Sequence, residues 1–584
     1  MSTRRSLIAL LIFFCVLILI AVVFVSVFMG RTPEVKEGSY LVLSIGADFP
    51  EEASGYFDVP FLEREQITMK TVLDCLEKAR VDGRIKGIVV KIMPSPLGWS
   101  KTQEIRDKLA WFKQSSKKPV VAYIMLGGDK EYALATVCDK VYMPEAGDLS
   151  VDGLVSEVVF MRGTLDKIGV FPDLEHIGAY KSASDMLTQR TFTEAHREVT
   201  NSLLDDGFER LLKMIGDAKG LSRDEVKKII DSGPYTAIEA YEAGLVDSLV
   251  YEDQLPALLG AEDESHFRTV SLEDYAKVKA SSFKLGKGPK IALVYAVGTI
   301  TEGKSGYNAI WGRTMGSDTM VEALKDAYKD SDIKAIILRI DSPGGSGLAS
   351  DFIWREVNRA KAKKPFIASM SDVAGSGGYY IAMAADTIVA EPGTLTGSIG
   401  VVSGKFATEG LYAKLGMNRE ILTRGQHAAM FSDVRPFTPD ERRKLLERLW
   451  EFYTDFLRKV SQGRGMTEEA VDKVARGRVW TGAQAVEVGL VDVLGGLDKS
   501  VELAKARAGI PKESEVTLVV YPKKKMSMLQ KLVRAFSAES YRAFEEGLEV
   551  VSPGGRAALE LLGAESLFRS GESLYLMPYR VETE

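Results

Sequence analysis

Histidine and cysteine are scarce in this chain, at four and three among 584 residues. Cys15 lies in a long apolar run, which leaves only Cys75 and Cys138. No disulfide framework can be built from them, and both read as buried free thiols. His176, His196, His266 and His427 lack metal-ligand spacing, so neither a metal nor a cofactor is expected. A basic surplus is missing too. Lys and Arg number 75 against 81 Asp and Glu, and a net charge of −6 provides no electrostatic footprint for nucleic acid. With 46% hydrophobic and 27% charged residues, the chain can bury sizeable cores.

The N-terminal end departs from that average. Leu7 to Met29 carries no charge, and a helix of that length crosses a hydrocarbon core of about 30 Å. Arg4 and Arg5 precede it, so the positive-inside preference places the N-terminus in the cytoplasm and everything after Arg31 outside. The run exceeds a signal-peptide h-region of about 7 to 15 residues and no A-x-A site closes it, which favours an uncleaved anchor.

Beyond this anchor the chain is duplicated. IKGIVVKIMPS at Ile85 answers IKAIILRIDSP at Ile333, a spacing of 333 − 85 = 248. KKPV at Lys117 answers KKPF at Lys363, YALATVCDKV at Tyr132 answers YYIAMAADTI at Tyr379, and TAIEAYEAGLVD at Thr236 answers TGAQAVEVGLVD at Thr481. In both copies β-branched runs alternate with amphipathic stretches of helical period. That alternation predicts α/β units with mainly parallel sheets, because parallel neighbours need a crossover connection. Five segments are expected: a cytoplasmic N-terminus and transmembrane anchor at 1–31, a first domain at 40–262, a polar linker at 263–290, a second domain at 291–522, and an extension of unknown role at 523–584.

The copies disagree where chemistry could sit. The second has DSPGGS at Asp341–Ser346 and GSGGYY at Gly375–Tyr380, whereas the first has MPSPLG at Met93–Gly98 and GDKEYA at Gly128–Ala133. Ser376, at a strand-to-helix turn, would present its hydroxyl as a nucleophile needs. The N–H groups around Gly344 and Gly345 would stabilise an oxyanion in the same region. A turn needed only for folding should have been kept in both copies. Conversely, IGAYKSASD, with Lys181, falls opposite RGQHAAMFS when Gly169 is laid on Gly416; Ala428 then stands at the lysine position, or His427 with a different gap. A lysine serves as base when burial disfavours its charged form. Most lysines are solvated surface groups, and the residues alone do not select this one.

Together, D-S-P-G-G-S at Asp341, S-G-G-Y at Ser376, T-L-T-G-S-I-G-V at Thr394 and Y-K-S-A at Tyr180 resemble the signal peptide peptidase A family of serine-lysine proteases, also called protease IV, in its long form. The resemblance runs from the anchor to about Leu497. It implies two tandem α/β domains of the crotonase and Clp-protease type, following an N-terminal transmembrane helix. It implies Ser376 as nucleophile, Lys181 as general base, Ser398 positioning the lysine amine, and Gly345 and Gly377 supplying oxyanion N–H groups. Peptide substrates are implied as well, chiefly signal-peptide remnants left in the membrane, cleaved through an acyl-enzyme. The family also implies a homo-oligomer, a tetramer in the long form, in the bacterial inner membrane with its catalytic domains periplasmic or extracytoplasmic. Two readings compete. A non-catalytic membrane scaffold of decayed peptidase domains is opposed by the joint presence of Ser376, Gly345 and Lys181; acyl-CoA chemistry on the same fold is opposed by the exported location.

Overall fold

The computed structural model describes residues 34–53, 66–261, 267–308, 312–522 and 574–576. The expected anchor and most of the stretch beyond residue 522 lie outside these. Among the described residues no helix is long and apolar enough to cross a membrane.

The apolar runs of the first copy become strands β1 (Ser39–Ile45), β2 (Ile85–Ile92), β3 (Val120–Ile124) and β4 (Lys140–Met143). Their central residues are buried on both faces, as a parallel sheet covered by helices requires. Helices α1 (Met69–Val81), α2 (Trp99–Ser116) and α3 (Asp129–Ala135) provide the crossovers. Farther along come β5 (Phe171–Ile177), β6 (Ser248–Leu249) and β7 (Thr269–Ser271). The resulting six-stranded parallel sheet runs β7-β1-β2-β3-β4-β6. β7 falls in the stretch expected to link the copies, and its pairing with β1 bonds that stretch to the first sheet.

The second copy repeats the plan with β8 (Lys290–Val297), β9 (Thr299–Thr301), β10 (Gly306–Asn308), β11 (Gly312–Gly316), β12 (Ile333–Ser342), β13 (Gly344–Ser346), β14 (Phe366–Gly375), β15 (Leu395–Gly397), β16 (Val401–Ala407), β17 (Val479–Thr481) and β18 (Thr517–Tyr521). Its main sheet has the path β17-β15-β14-β12-β8-β18, parallel except at β15–β17. Helices α4 (Gly347–Lys361), α5 (Gly377–Ala382) and α6 (Pro439–Arg464) join this copy. The two tandem α/β units of the sequence reading are thus present, each with its own large core.

β5 does not join the first sheet. It pairs antiparallel with β16 over its whole length, from Phe171 opposite Ala407 to Ile177 opposite Val401. The strand thereby completes a seven-stranded sheet of order β10-β11-β9-β13-β19-β16-β5, where β19 is the short strand Leu574–Leu576. A polar seam joins the units elsewhere. Arg339 of β12, 1% exposed, donates to both Glu51 carboxylate oxygens at 2.9 and 2.7 Å and to Glu104 of α2 at 2.6 Å. Nearby, Lys101 of α2 faces Asp341 at 3.4 Å, Asp48 at 3.6 Å and Asp372 at 3.8 Å. These carboxylates hold its ammonium above the usual lysine range although burial opposes it. Burial pushes Asp341 up to about 6 despite the neighbouring Lys101.

Candidate active site

IKAIILRIDS is β-branched and apolar, and extends as β12 until Pro343 removes a ladder donor. The two glycines that follow have φ of +104° and +151°, and a Cβ on Gly345 would stand 2.1 Å from the Ile300 carbonyl oxygen. Only glycine fits that close approach. Ser342 fixes the turn, donating its hydroxyl to the Gly298 carbonyl at 2.7 Å and accepting from the Gly344 N–H at 3.2 Å. The second turn ends β14. Ser376 has φ 54° and ψ −110°, an uncommon conformation for a residue with a side chain, and α5 begins directly after it. Its N–H donates to the Gly397 carbonyl at 2.8 Å, and its own carbonyl accepts the first helical bond from Tyr380 at 2.8 Å. The glycine turns touch: a Cβ on Gly377 would lie 3.1 Å from the Gly344 Cα. Ser376, Gly345 and Gly377 are therefore one cluster.

Lys181 reaches this cluster through β5. The chain leaves β5 at Gly178, and the Tyr180 N–H donates to the Arg476 carbonyl at 2.8 Å, tying the turn to the second unit. Lys181 is then clasped between glycines of that unit. A Cβ on Gly477 would come within 2.5 Å of the Lys181 Cα, and one on Gly400 within 3.1 Å of its Cδ. At the end of the stem, Nζ lies 2.7 Å from Ser376 Oγ, 3.0 Å from Ser398 Oγ and 2.9 Å from the Ser398 carbonyl oxygen. Lys181, Ser376 and Ser398 all have 0% exposure. Burial, with no carboxylate to offset it, holds the Lys181 amine well below the usual lysine range. A neutral amine has two N–H donors and one lone pair. Two donors match the two Ser398 oxygens, which leaves the lone pair facing the Ser376 hydroxyl, the geometry for removing its proton.

Ser376, Lys181, Ser398, Gly345 and Gly377 thus meet in this region. His427 does not; it stands 3.5 Å from Asp440 on the half-exposed start of α6. Sequence reasoning missed Gly400 and Gly477, whose signal was their occurrence in short glycine-punctuated loops, and it missed the Ser398 carbonyl. Among the described residues no group of His, Cys, Asp or Glu could hold a metal ion.

The matching region of the first unit is closed. Lys130 occupies the position of Gly377 (377 − 130 = 247) and Leu97 that of Gly345 (345 − 97 = 248). The Lys130 amine donates to the carbonyls of Ser95 at 2.9 Å and Leu97 at 2.6 Å. Glu131 accepts from the Ser95 N–H at 3.2 Å. Asp129 replaces the serine, and burial pushes its carboxyl up to about 7.

Comparison with known proteins matches residues 112–264 and 358–511 to the model of peptidase family S49. The chloroplastic serine protease SPPA of Arabidopsis thaliana is 36% identical over 491 residues, covering 83% of this chain and 71% of that protein. Protease 4 of Haemophilus influenzae is 29% identical over 525 residues, covering 84% and 82%. Among solved structures, a membrane-bound stomatin-specific protease in complex with a substrate peptide aligns over 42% of this chain and 98% of its own, at 17% identity and a TM-score of 0.26.

Proposed function

The chain belongs to peptidase family S49 and is a serine peptidase, and from that premise we propose that Ser376 is its nucleophile and Lys181 its general base. As the Ser376 oxygen bonds to a peptide carbonyl carbon, the neutral Lys181 amine takes the hydroxyl proton. The carbonyl oxygen, now an oxyanion, is held by the N–H groups of Gly345 and Gly377, where one donor is worth about 2.7 to 4 kcal/mol. Lys181 passes its proton to the leaving nitrogen, the C–N bond breaks, and an acyl group remains on Ser376. Water then enters by the same route, giving a proton to Lys181 and bonding through its oxygen to the acyl carbon; the bond from that carbon to Ser376 Oγ breaks, Lys181 returns the proton to Ser376, and the carboxylic acid product leaves. Ser398 holds the amine between these transfers.

The substrates in this reading are apolar peptides, signal-peptide remnants in the membrane among them. Residues 7–29 anchor the enzyme with both units on the extracytoplasmic side, and it works as a homotetramer. The observation that carries the dyad is the 2.7 Å separation of Lys181 Nζ and Ser376 Oγ, both shielded from solvent and away from any carboxylate. The test uses the full chain in detergent. A serine-directed acylating probe labels Ser376, and an apolar fluorogenic peptide is turned over by the parent and His427→Ala but by neither Ser376→Ala nor Lys181→Ala. Unchanged turnover in Ser376→Ala ends the reading.

A further inference from the structure

Lys181 and Ser398 come from different units, and three consecutive residues of the second unit hold both. The Arg476 carbonyl accepts the Tyr180 N–H at 2.8 Å, Gly477 packs on the Lys181 backbone, and the Arg478 carbonyl accepts the Ser398 N–H at 2.7 Å. Ser398 needs such support, because its φ of +50° lies in a region that residues with side chains seldom adopt. Arg476 is fixed by Asp472, to which its Nε and a terminal nitrogen donate at 2.9 and 2.6 Å. Arg478 is fixed from the first unit. Its guanidinium donates to Glu198 Oε1 at 2.5 Å, and the other oxygen of Glu198 accepts from the Tyr180 hydroxyl at 3.0 Å. The guanidinium also lies over the Tyr180 ring, 5.0 Å from its centroid, and 4.7 Å from that of Trp480. Tyr180, Glu198 and Arg478 thus each touch the other two.

One carboxylate therefore ties the residue before the base to the residue whose carbonyl holds Ser398. Glu198 stands in the second turn of the helix Glu194–Lys219 of the first unit. Chiefly through its bond from Arg478, its carboxyl is held below the usual carboxylate range, so it is an anion at neutral pH. A carboxylate in contact with the Lys181 amine would favour the ammonium and spoil the base. Here the anion is answered by Arg478 and grips Tyr180 instead, so it directs the amine without charging it. We propose that Tyr180, Glu198 and Arg478 form a clamp that aims the Lys181 amine at Ser376 and holds Ser398 beside it, with Glu198 as the positioning residue that joins the two units at this point. The inference rests on the Ser376–Lys181 reading and adds to it the residues that place the base.

An exposed ion pair adds little to stability, and the Glu198 side chain is half-exposed, so the clamp should be felt in kcat rather than in unfolding. The test uses the full chain in detergent with an apolar fluorogenic peptide. Glu198→Ala is expected to lower kcat about tenfold with KM unchanged, for a base displaced by less than the roughly 1 Å that costs about 100-fold. The ionisation that governs activity should move toward the ordinary lysine range as the loosened amine gains water, while the denaturant midpoint stays at the parent value. Tyr180→Phe removes only the hydroxyl. It should lower kcat in the parent but not in Glu198→Ala, where its partner is already gone. Glu198→Gln keeps an oxygen acceptor and should recover part of the loss. Parent values of kcat and of the ionisation in Glu198→Ala overturn the proposal, as does a fall in kcat matched by a fall in the denaturant midpoint with the ionisation unmoved. A parent without Ser376-dependent turnover brings down the dyad reading and the clamp with it, whereas a Ser376-dependent parent indifferent to Glu198→Ala overturns the clamp alone.

Discussion

Lys181 is held by oxygen atoms that carry no charge, and that choice of neighbours sets its proton affinity. Its folded pKa lies below the unfolded value because burial disfavours the ammonium, so between those two values the unfolded chain binds more protons than the folded chain. The contribution of this residue to stability therefore rises with pH and is most adverse on the acid side. Activity should climb with pH through a single ionisation below the ordinary lysine range. Ser398→Ala removes an acceptor that favours the charged amine; that ionisation then moves further to acid, while kcat falls about tenfold for one lost hydrogen bond. A pH–rate profile of both proteins checks the pair of effects. Of these residues Ser376 was legible, because its flanking glycines and its loss from the first copy are visible in the letters. Lys181 was legible only by family resemblance, since burial is a tertiary property and no local pattern marks one lysine among many.

At the level of elements, the strand that carries Lys181 into place is β5, and its partner lies in the other unit. A Cβ on Gly404 of β16 would stand 2.2 Å from the Asp173 carbonyl oxygen on β5, so Gly404→Ala must push the strands apart. The expected result is a fall in kcat of about 100-fold from a displacement of about 1 Å at the base, with the far-ultraviolet circular dichroism unchanged. Full activity would mean that the β5–β16 seam does not hold Lys181 in place. The sequence indicated a duplicated α/β plan because the 248-residue spacing and the strand runs are local signals. It did not indicate which sheet would receive β5, because FPDLEHI contains nothing that names its partner.

At the scale of the whole molecule, the two units are joined by buried charge as well as by strands. Arg339 answers two glutamates that come from the first unit, one of them 288 residues earlier in the chain. Arg339→Met removes the guanidinium that pairs with buried Glu51 and Glu104, which should cost about 3 to 5 kcal/mol in denaturant unfolding. The loss should shrink as pH falls and the stranded carboxyls protonate. Nothing in IILRI marks Arg339 as the partner of two glutamates, because these converge on it only after folding. The closed region of the first unit has a consequence of another kind. Lys130→Gly alone would leave the Ser95 and Leu97 carbonyls without their donor, while Leu97 and Asp129 would still stand where a glycine and a serine are required. No single substitution at these positions supplies both the glycine and the serine, so in the proposed reading the two copies are no longer interchangeable and neither can act without the other.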